Sequence, residues 1–482
     1  MSAGVSSGSH PVEGVCMLLE EAAEICKGSL HPAPDSSSSK EPSFEGLKID
    51  NRTISPGNAF LALRGERFDG HDFAAGAAEN GANVLFVEEQ LSEVCCAQIV
   101  VEDTVAALGA LAQAWRREVA PRTVAITGSV GKTTTKELLG QILERTGSTH
   151  VTPGNYNNHI GLPLTLLGMP RNTRFLIAEM GMNAPGEIAE LALIAEPEVG
   201  VITAIAPVHL EGLGTLEAVA AAKAELFEAL KGDHHAIFPA DEPLLAPHLA
   251  PLKARRVTFG EGVPADIRLL DTQSQGMEGS TLCLALGEEQ LEVNLPLVGR
   301  HNARNAACAA ATAFALGLTS AEIIAGLEAP PRLVHRSSLR QVGPFQVYDD
   351  SYNASPTAVR AALDTLLELA AGGPCWAVLG EMRELGNTSV AHHHDLGVYA
   401  AHLGLSGLIT TGGEASIIAR GAREAGMAPS RVHAEGDPEA AGRRLVGCAE
   451  SKSWVLFKGS RGARVERALE SVEREVGGPS KS

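Results

Sequence analysis

TVAITGSVGKTTTKELL, residues 123 to 139, sets the reading of the whole chain. Thr123 to Thr127 is an apolar run of strand length, and it breaks at Gly128, Ser129 and Gly131 before Lys132, Thr133 and Thr134. Leu138, Leu139 and Ile142 then recur at helical spacing. The stretch therefore predicts a strand, a glycine loop and a helix start. That succession makes a phosphate cradle, because glycines let backbone N–H groups approach an anion and a helix N-terminus favours negative charge. Lys132 has the reach for terminal phosphates, and the Thr133 hydroxyl suits Mg²⁺. The loop is shorter than the usual GxxxxGK[ST], since only Ser129 and Val130 lie between its glycines. A tight strand-to-helix turn would use the same glycines, and the Lys-Thr-Thr run is what favours nucleotide.

The 482 residues suggest about three domains on length alone. A formal net charge of −19 argues against nonspecific binding to nucleic acid or an anionic membrane, so sites for anionic nucleotides must be locally basic. The eight cysteines contain no CxxC pair, and a chain this long needs no stapling, which fits a reducing cytoplasm. Residues 1 to 15 are Ser/Gly-rich without a basic or apolar leader pattern and read as a frayed tail. Asn305 to Ala321 reads as a packed, Ala-rich helix and not a membrane span.

From the N-terminus, Met17 to Lys27 predicts a helix, and residues 29 to 43 a Pro/Ser-rich flexible loop. LKIDNR carries Asn51 and Arg52 at a strand end. RGERFDGHDF, with Arg64, Asp69 and His71, follows another strand and suits a solvated turn and a ligand loop equally. Beyond the phosphate loop, TPGNYNNHIGLPLTLL gathers Asn155, Asn157 and Asn158, from either turn chemistry or ligand contact. RFLIAEM ends in Glu179, placed as a strand-end carboxylate to hold Mg²⁺. His209 and Glu211 lie in a glycine-bounded loop after an apolar strand, and Lys223 sits amid alanines on a helix. Residues 251 to 297 look β-rich. Asn302 and Asn305 open a small-residue helix, where Asn302 could read an adenine edge or cap the helix. From residue 329 onward, FQVYDDSYNASP, CWAVLGEMRELG, GLITTGG and WVLFKGSRG alternate with helical stretches, which predicts a doubly wound α/β domain. His392, His393 and His394 point in different directions on a helix, so they read as a solvated helix start with at most one functional member.

TGSVGKTTTKE, TPGNYNNHIGLPLTLL, GRHNARNAACA, DDSYNASP, GEMRELG and KGSRG, in this order, resemble the Mur ligases of peptidoglycan synthesis over nearly the whole chain. DDSYNASP and GEMRELG look like the branch that adds D-Ala-D-Ala to UDP-MurNAc-tripeptide, and the DNPR-type sequence of the diaminopimelate-adding branch is absent. The short phosphate loop is that family's own variant.

The resemblance implies an α/β chain of three domains: a small uridine-binding domain over residues 1–103, a central P-loop domain over 104–328 and a Rossmann-like doubly wound domain over 329–482. It implies ATP, two Mg²⁺ sites, and an acyl phosphate attacked by the incoming amine, with positioning and charge neutralisation as the protein's share. Gly128, Ser129, Gly131, Lys132, Thr133 and Thr134 would hold the phosphates, and Thr133 with Glu179 one Mg²⁺. By the same resemblance Lys223 is carbamylated and binds the second Mg²⁺ with His209. Asn302 and Asn305 would face adenine, and Arg336 and Asp350 phosphate and ribose. Lys458, Ser460 and Arg461 would line the cleft, and His393 matches a recurrent family histidine. Asn51, where the family has a hydroxyl residue, Arg52, Arg64, Asp69 and His71 would take the uridine end. A monomer is expected, with domain closure that excludes water from the acyl phosphate. Folylpolyglutamate-synthase-like ligases would lack the segment at residues 46 to 73. A P-loop switch protein would need neither the Asn-rich loop nor KGSRG, and no NKxD guanine motif occurs.

Overall fold

The computed structural model describes residues 14–34, 42–65, 68–92, 94–330 and 332–477. Residues 1–13 of the expected tail, 35–41 of the Pro/Ser-rich loop, and Glu66 and Arg67 of the RGERFDGHDF segment lie outside the described residues. Val15, expected in the tail, is instead buried with its N–H on the Leu167 carbonyl at 2.7 Å. The chain divides into two compact units, one of Met1–Ala125, Gly147–Met182 and Glu187–Glu198, the other of Ile126–Thr146, Asn183–Gly186 and Val199–Ser482.

In the first unit a five-stranded sheet has the order Ser29–His31, Ala97–Val100, Val84–Val87, Ala59–Leu61, Leu47–Lys48. Its members are parallel except Ser29–His31. Val84–Val87 is buried along its whole length, as a strand covered on both faces must be. The predicted helix from Met17 is shorter than expected. Cys16–Leu18 pairs antiparallel with Ser43–Glu45, and the helix runs Leu19–Ile25. Pairing to a partner distant in sequence overrides local helical spacing there. Helix Thr104–Val119 begins at Asp103, whose carboxylate accepts from Val105 and Ala106 N–H at 2.7 and 3.0 Å. It buries Trp115, whose Nε1–H donates to the Met169 carbonyl at 2.9 Å. Phe175–Glu179 pairs parallel with Thr149–Val151 and so brings Glu179 to a strand end.

In the second unit Val199–Ile202, His235–Pro239, Arg255–Glu261 and Ile267–Ser274 run parallel in that order. Ser280–Leu286 and Glu289–Leu295 extend the row antiparallel, matching the β-rich expectation. A six-stranded sheet follows, in the order Ser338–Val342, Phe345–Asp349, Trp454–Lys458, Cys375–Gly380, Gly407–Thr411, Val432–Glu435. All four strand-like runs are strands of this sheet. Alternate residues feed two cores: Ala377, Leu379 and Leu456 meet helices Pro356–Ala370, Ser389–His402 and Ala415–Glu424, while Trp376, Val378 and Phe457 meet Pro438–Cys448 and Glu466–Val476. Helices on both faces of a mainly parallel sheet are the doubly wound arrangement. The loops that carry Asp350, the GEMRELG segment and the KGSRG segment all leave the C-terminal ends of its strands.

Among the described residues no helix is long and apolar enough to cross a membrane. The Ala-rich helix is Arg300–Ala315, buried along most of its length.

Candidate active site

In the second unit the phosphate loop leaves Thr127 and enters helix Lys132–Glu144, with Gly131 at the N-cap. Gly128 has φ 147° and Gly131 φ 86°, both in the region that favours glycine. A Cβ on Gly128 would overlap Thr203 Oγ1, and one on Gly131 would overlap Asn305 Oδ1. Thr203 Oγ1 donates to the Val130 carbonyl at 2.6 Å. Ser129 Oγ donates to the Ala206 carbonyl at 3.0 Å and accepts from Ala206 N–H at 2.9 Å. Its own N–H donates to the Ala204 carbonyl at 2.8 Å, so Ser129 anchors the loop. Lys132 Nζ lies 2.6 Å from the Gly128 carbonyl, folded over its own loop. A helix start leaves its first N–H groups without intrahelical acceptors, and here that turn is Lys132, Thr133 and Thr134.

Lys223 lies on helix Leu216–Glu228, capped by Thr215, and is 1% exposed. Burial holds its amine well below the usual lysine range, and the charge of Lys132 adds to the effect. His209 opens a short helical turn with φ 54°, and its Nδ1 is 2.6 Å from Glu384 Oε2.

Where the six-stranded sheet meets helix Arg300–Ala315, polar groups interlock. Asn302 is inside the helix and Gly299 is its cap residue, so the capping alternative for Asn302 does not hold. Its Nδ2 donates to the Val298 carbonyl and to Ser337 Oγ, each at 2.9 Å. Asn305 Nδ2 donates to Asn302 Oδ1 at 3.3 Å, while its Oδ1 lies against Gly131. Arg336 stands between two left-handed residues, His335 at φ 55° and Ser337 at φ 46°. His335 is pinned to Asp349 at 2.8 Å, and Ser337 N–H donates to Asp350 Oδ1 at 3.2 Å. The Arg336 guanidinium sits 4.0 Å from the centre of the Tyr352 ring and that of Arg461 5.6 Å, both within cation–π range. Lys458, 3% exposed, is paired with Asp350 and donates to the Asn353 carbonyl at 3.0 Å. Ser460 Oγ accepts from Arg383 N–H at 2.9 Å and so ties KGSRG to GEMRELG. His301 Nδ1 is closed off from solvent and has no hydrogen-bond partner among the described residues, and burial pushes the ring down to about 4.

His393 is buried, accepts from Met382 N–H at Nε2 (2.9 Å) and uses Nδ1 toward the Ser389 carbonyl (2.8 Å). That fixes the GEMRELG loop from behind. His394 Nε2 pairs with Glu424 at 2.8 Å, away from it.

In the first unit, the Glu179 carboxylate accepts from Asn157 Nδ2 at 2.9 Å, and its N–H donates to Thr152 Oγ1 at 2.9 Å. Asn158 serves the turn, accepting from Ile160 and Gly161 N–H at 3.2 and 2.8 Å, whereas Asn155 is exposed. Arg52 forks onto Asp50 with contacts of 2.7 to 3.2 Å, which hold that carboxyl down to about 2; Asn51 shares the same 3₁₀ turn. Arg64 reaches Glu88 at 2.8 Å and Asp69 at 3.5 Å. His71 spends both ring nitrogens on the protein: Nδ1 on Asp69 at 2.6 Å, and Nε2 as acceptor from Glu88 N–H at 2.9 Å. Hydrogen bonds from the His71 backbone and ring lower the Asp69 carboxyl.

Sequence reasoning gave no role to Thr203, Ser337, Tyr352, His301 and Glu384. The last three stand inside segments it quoted, so the motif boundaries marked them even though spacing gave them no role. Among the described residues, no three His, Cys, Asp or Glu side chains gather as a metal cluster.

Family models match three stretches: the Mur ligase family catalytic domain over residues 43–116, the Mur ligase middle domain over 126–313, and the Mur ligase glutamate ligase domain over 335–461. The UDP-N-acetylmuramoyl-tripeptide–D-alanyl-D-alanine ligase of Bacillus subtilis is 34% identical across 94% of this chain and 98% of its own length. That of Escherichia coli is 33% identical across 95% and 99%. A crystal structure of MurF from Acinetobacter baumannii superposes with a TM-score of 0.87 at 32% identity, covering 96% of this chain and 100% of that one. MurF from Thermotoga maritima, solved with ADP, gives 0.81 at 30% identity over 89% and 97%. With three domain models matched in order and relatives above 30% identity along almost its full length, the chain belongs to the Mur ligase family.

Proposed function

We propose that this chain is an ATP-dependent ligase that joins D-alanyl-D-alanine to UDP-N-acetylmuramoyl-tripeptide, giving the pentapeptide precursor of peptidoglycan. The observation that carries the reading is the phosphate loop, closed on Thr203 and Asn305 so tightly that neither glycine admits a Cβ, in a chain matching such ligases nearly end to end. The ADP complex of the Thermotoga maritima relative supports ATP as the nucleotide.

Residues 1–103 would hold the uridine end, 104–328 the ATP, and 329–482 the groups that complete the reaction site. Arg52 and Arg64 can trade carboxylate partners for phosphate, while Asp69 and His71 shape their loop and Asn51 its neighbouring turn. Asn155 offers an exposed amide, and Asn157 and Asn158 set the loop beside Glu179. In the other unit, Lys132 and the N–H groups of Gly131 to Thr134 take the β/γ-phosphates, and Gly128 and Ser129 keep the loop in shape. Asn302 and Asn305 flank adenine; Arg336 and Asp350 serve phosphate and ribose, with Lys458, Ser460 and Arg461 beside them.

The tripeptide carboxylate attacks the γ-phosphorus and ADP leaves. The amine of D-Ala-D-Ala then adds to the acyl carbon, and phosphate departs with formation of the amide. Mg²⁺ would neutralise charge on the transferring phosphate. The donor chemistry fits residue by residue: the Thr133 hydroxyl in the second unit and the Glu179 carboxylate in the first are each a hard oxygen of the kind Mg²⁺ prefers. Lys223 fits as an amine only poorly. Burial that disfavours its charge also favours the amine form that reacts with CO₂, and as a carbamate it would offer oxygens to the metal, the role the family resemblance gives it together with His209. The reading carries with it a monomeric, cytoplasmic enzyme.

Phosphate release with ATP and Mg²⁺ tests it. Turnover should require both UDP-MurNAc-tripeptide and D-Ala-D-Ala and yield their amide. Turnover with UDP-MurNAc-dipeptide and a free diamino acid would move the chain to another branch of the family.

A further inference from the structure

The loop after strand Cys375–Gly380 grips the turn that carries His209, all within the second unit. Glu384 Oε2 lies 2.6 Å from His209 Nδ1. Glu211 N–H points at the Glu384 carbonyl at 3.5 Å. Gly386, at φ 53°, comes so near that a Cβ there would sit 3.1 Å from Glu211 Cα. Glu384 and His209 themselves have φ 64° and 54°, left-handed conformations uncommon outside glycine and less tolerated by Glu than by His. Backbone cost of this kind persists where surrounding structure enforces it and gathers at functional sites. Here two such residues meet in one contact.

We propose that Glu384 is a positioning residue for His209: by accepting the Nδ1 proton it fixes the imidazole as the tautomer whose lone pair is on Nε2. This rests on the reading above that His209 serves the reaction.

A carboxylate can only accept, and a neutral imidazole has one N–H and one lone pair. Committing Nδ1–H to Glu384 therefore leaves Nε2 as the ring's acceptor, able to bind a cation or take a proton. Among the described residues Glu384 is the ring's one side-chain partner. An ionised carboxylate, the ordinary form of Glu near neutral pH, has no proton to offer and so accepts when the pair forms. Free histidine prefers the opposite tautomer, so the preference must come from this contact. Carboxylates that orient a functional histidine through its second nitrogen change affinity or activity by about 10–100-fold when removed.

The test is long-range ¹H–¹⁵N NMR of histidine-labelled full-length protein without nucleotide or metal, with His209 assigned from the missing signal of His209→Gln. The wild type should show the Nδ1–H pattern. Glu384→Ala should shift it toward Nε2–H and lower kcat by about 10–100-fold, with KM for ATP within about twofold. Glu384→Asp, which keeps the carboxylate and suits a positive φ, should recover part of both. An Nε2–H tautomer in the wild type overturns the proposal, and so does a Glu384→Ala protein with unchanged ring signal and kcat. Should Glu384→Ala not fold, the isosteric Glu384→Gln, whose amide can donate to Nδ1, is read by the same two measurements. Full turnover by His209→Gln would instead remove the reading of His209 while leaving the tautomer result standing.

Discussion

Arg52 and Lys223 are both cationic side chains at candidate sites, and their surroundings are opposite. In the first unit the Arg52 side chain is 83% exposed and paired with Asp50, two residues away. In the second unit Lys223 is 1% exposed and lies among alanines and valine, within reach of the Lys132 charge. An exposed pair is screened by water and worth little in itself, so exchanging the carboxylate for a ligand phosphate costs little. A desolvated amine is driven to give up its proton, which makes it reactive. The one environment suits recognition and the other chemistry.

Removing the buried amine should break the comparison most visibly. Lys223→Ala is expected to lose about three orders of magnitude in kcat, roughly 4 kcal/mol of barrier, and short-chain carboxylates should restore part of it if the working group is a carbamate. Steady-state kinetics with and without formate or acetate measure this; undiminished kcat, or mass spectrometry of active enzyme showing only unmodified lysine, would defeat it.

The next effect comes from His301, whose Nδ1 is closed off from solvent although the residue as a whole is half-buried. Its pKa is about 4 in the fold against 6.5 unfolded, so the unfolded chain binds more protons between those values. The contribution is fully present above pH 6.5 and is lost as pH falls toward 4. Allowing for the ring's partial exposure, the loss is on the order of 2 kcal/mol. Urea unfolding across this range should show a slope that His301→Gln flattens; an equal slope in both proteins would contradict the assignment.

The smallest change belongs to the surface. Arg52→Ala should raise KM for the UDP-linked substrate by roughly two- to fivefold with kcat unchanged, as loss of uniform binding does. It should also let Asp50 titrate in the ordinary carboxylate range, away from about 2. A fall in kcat instead would place Arg52 among the reacting groups.

How much was legible follows the same division. The phosphate loop could be read because its glycines, lysine and threonines are contiguous, and the doubly wound sheet because its strands recur as apolar runs with polar ends. The short strand at Cys16–Leu18 was hidden, since its partner Ser43–Glu45 lies across a loop and its residues also fit a helix. Lys223 looked ordinary because burial is a property of packing, not of spacing. His71 is expected at the uridine end and His393 matches a recurrent family histidine, and spacing shows for neither that both its nitrogens hold a loop. The Glu384 contact joins segments far apart in the chain, and no local pattern could announce it.

Ser129 exchanges two hydrogen bonds with Ala206, and Thr203 closes on the Val130 carbonyl. A loop fastened in this way has little conformational entropy left to surrender when an anion arrives, so association should be opposed mainly by desolvation and lost overall motion. Nucleotide would then stabilise the fold by mass action, in step with its concentration over Kd, without having to shape its own cradle.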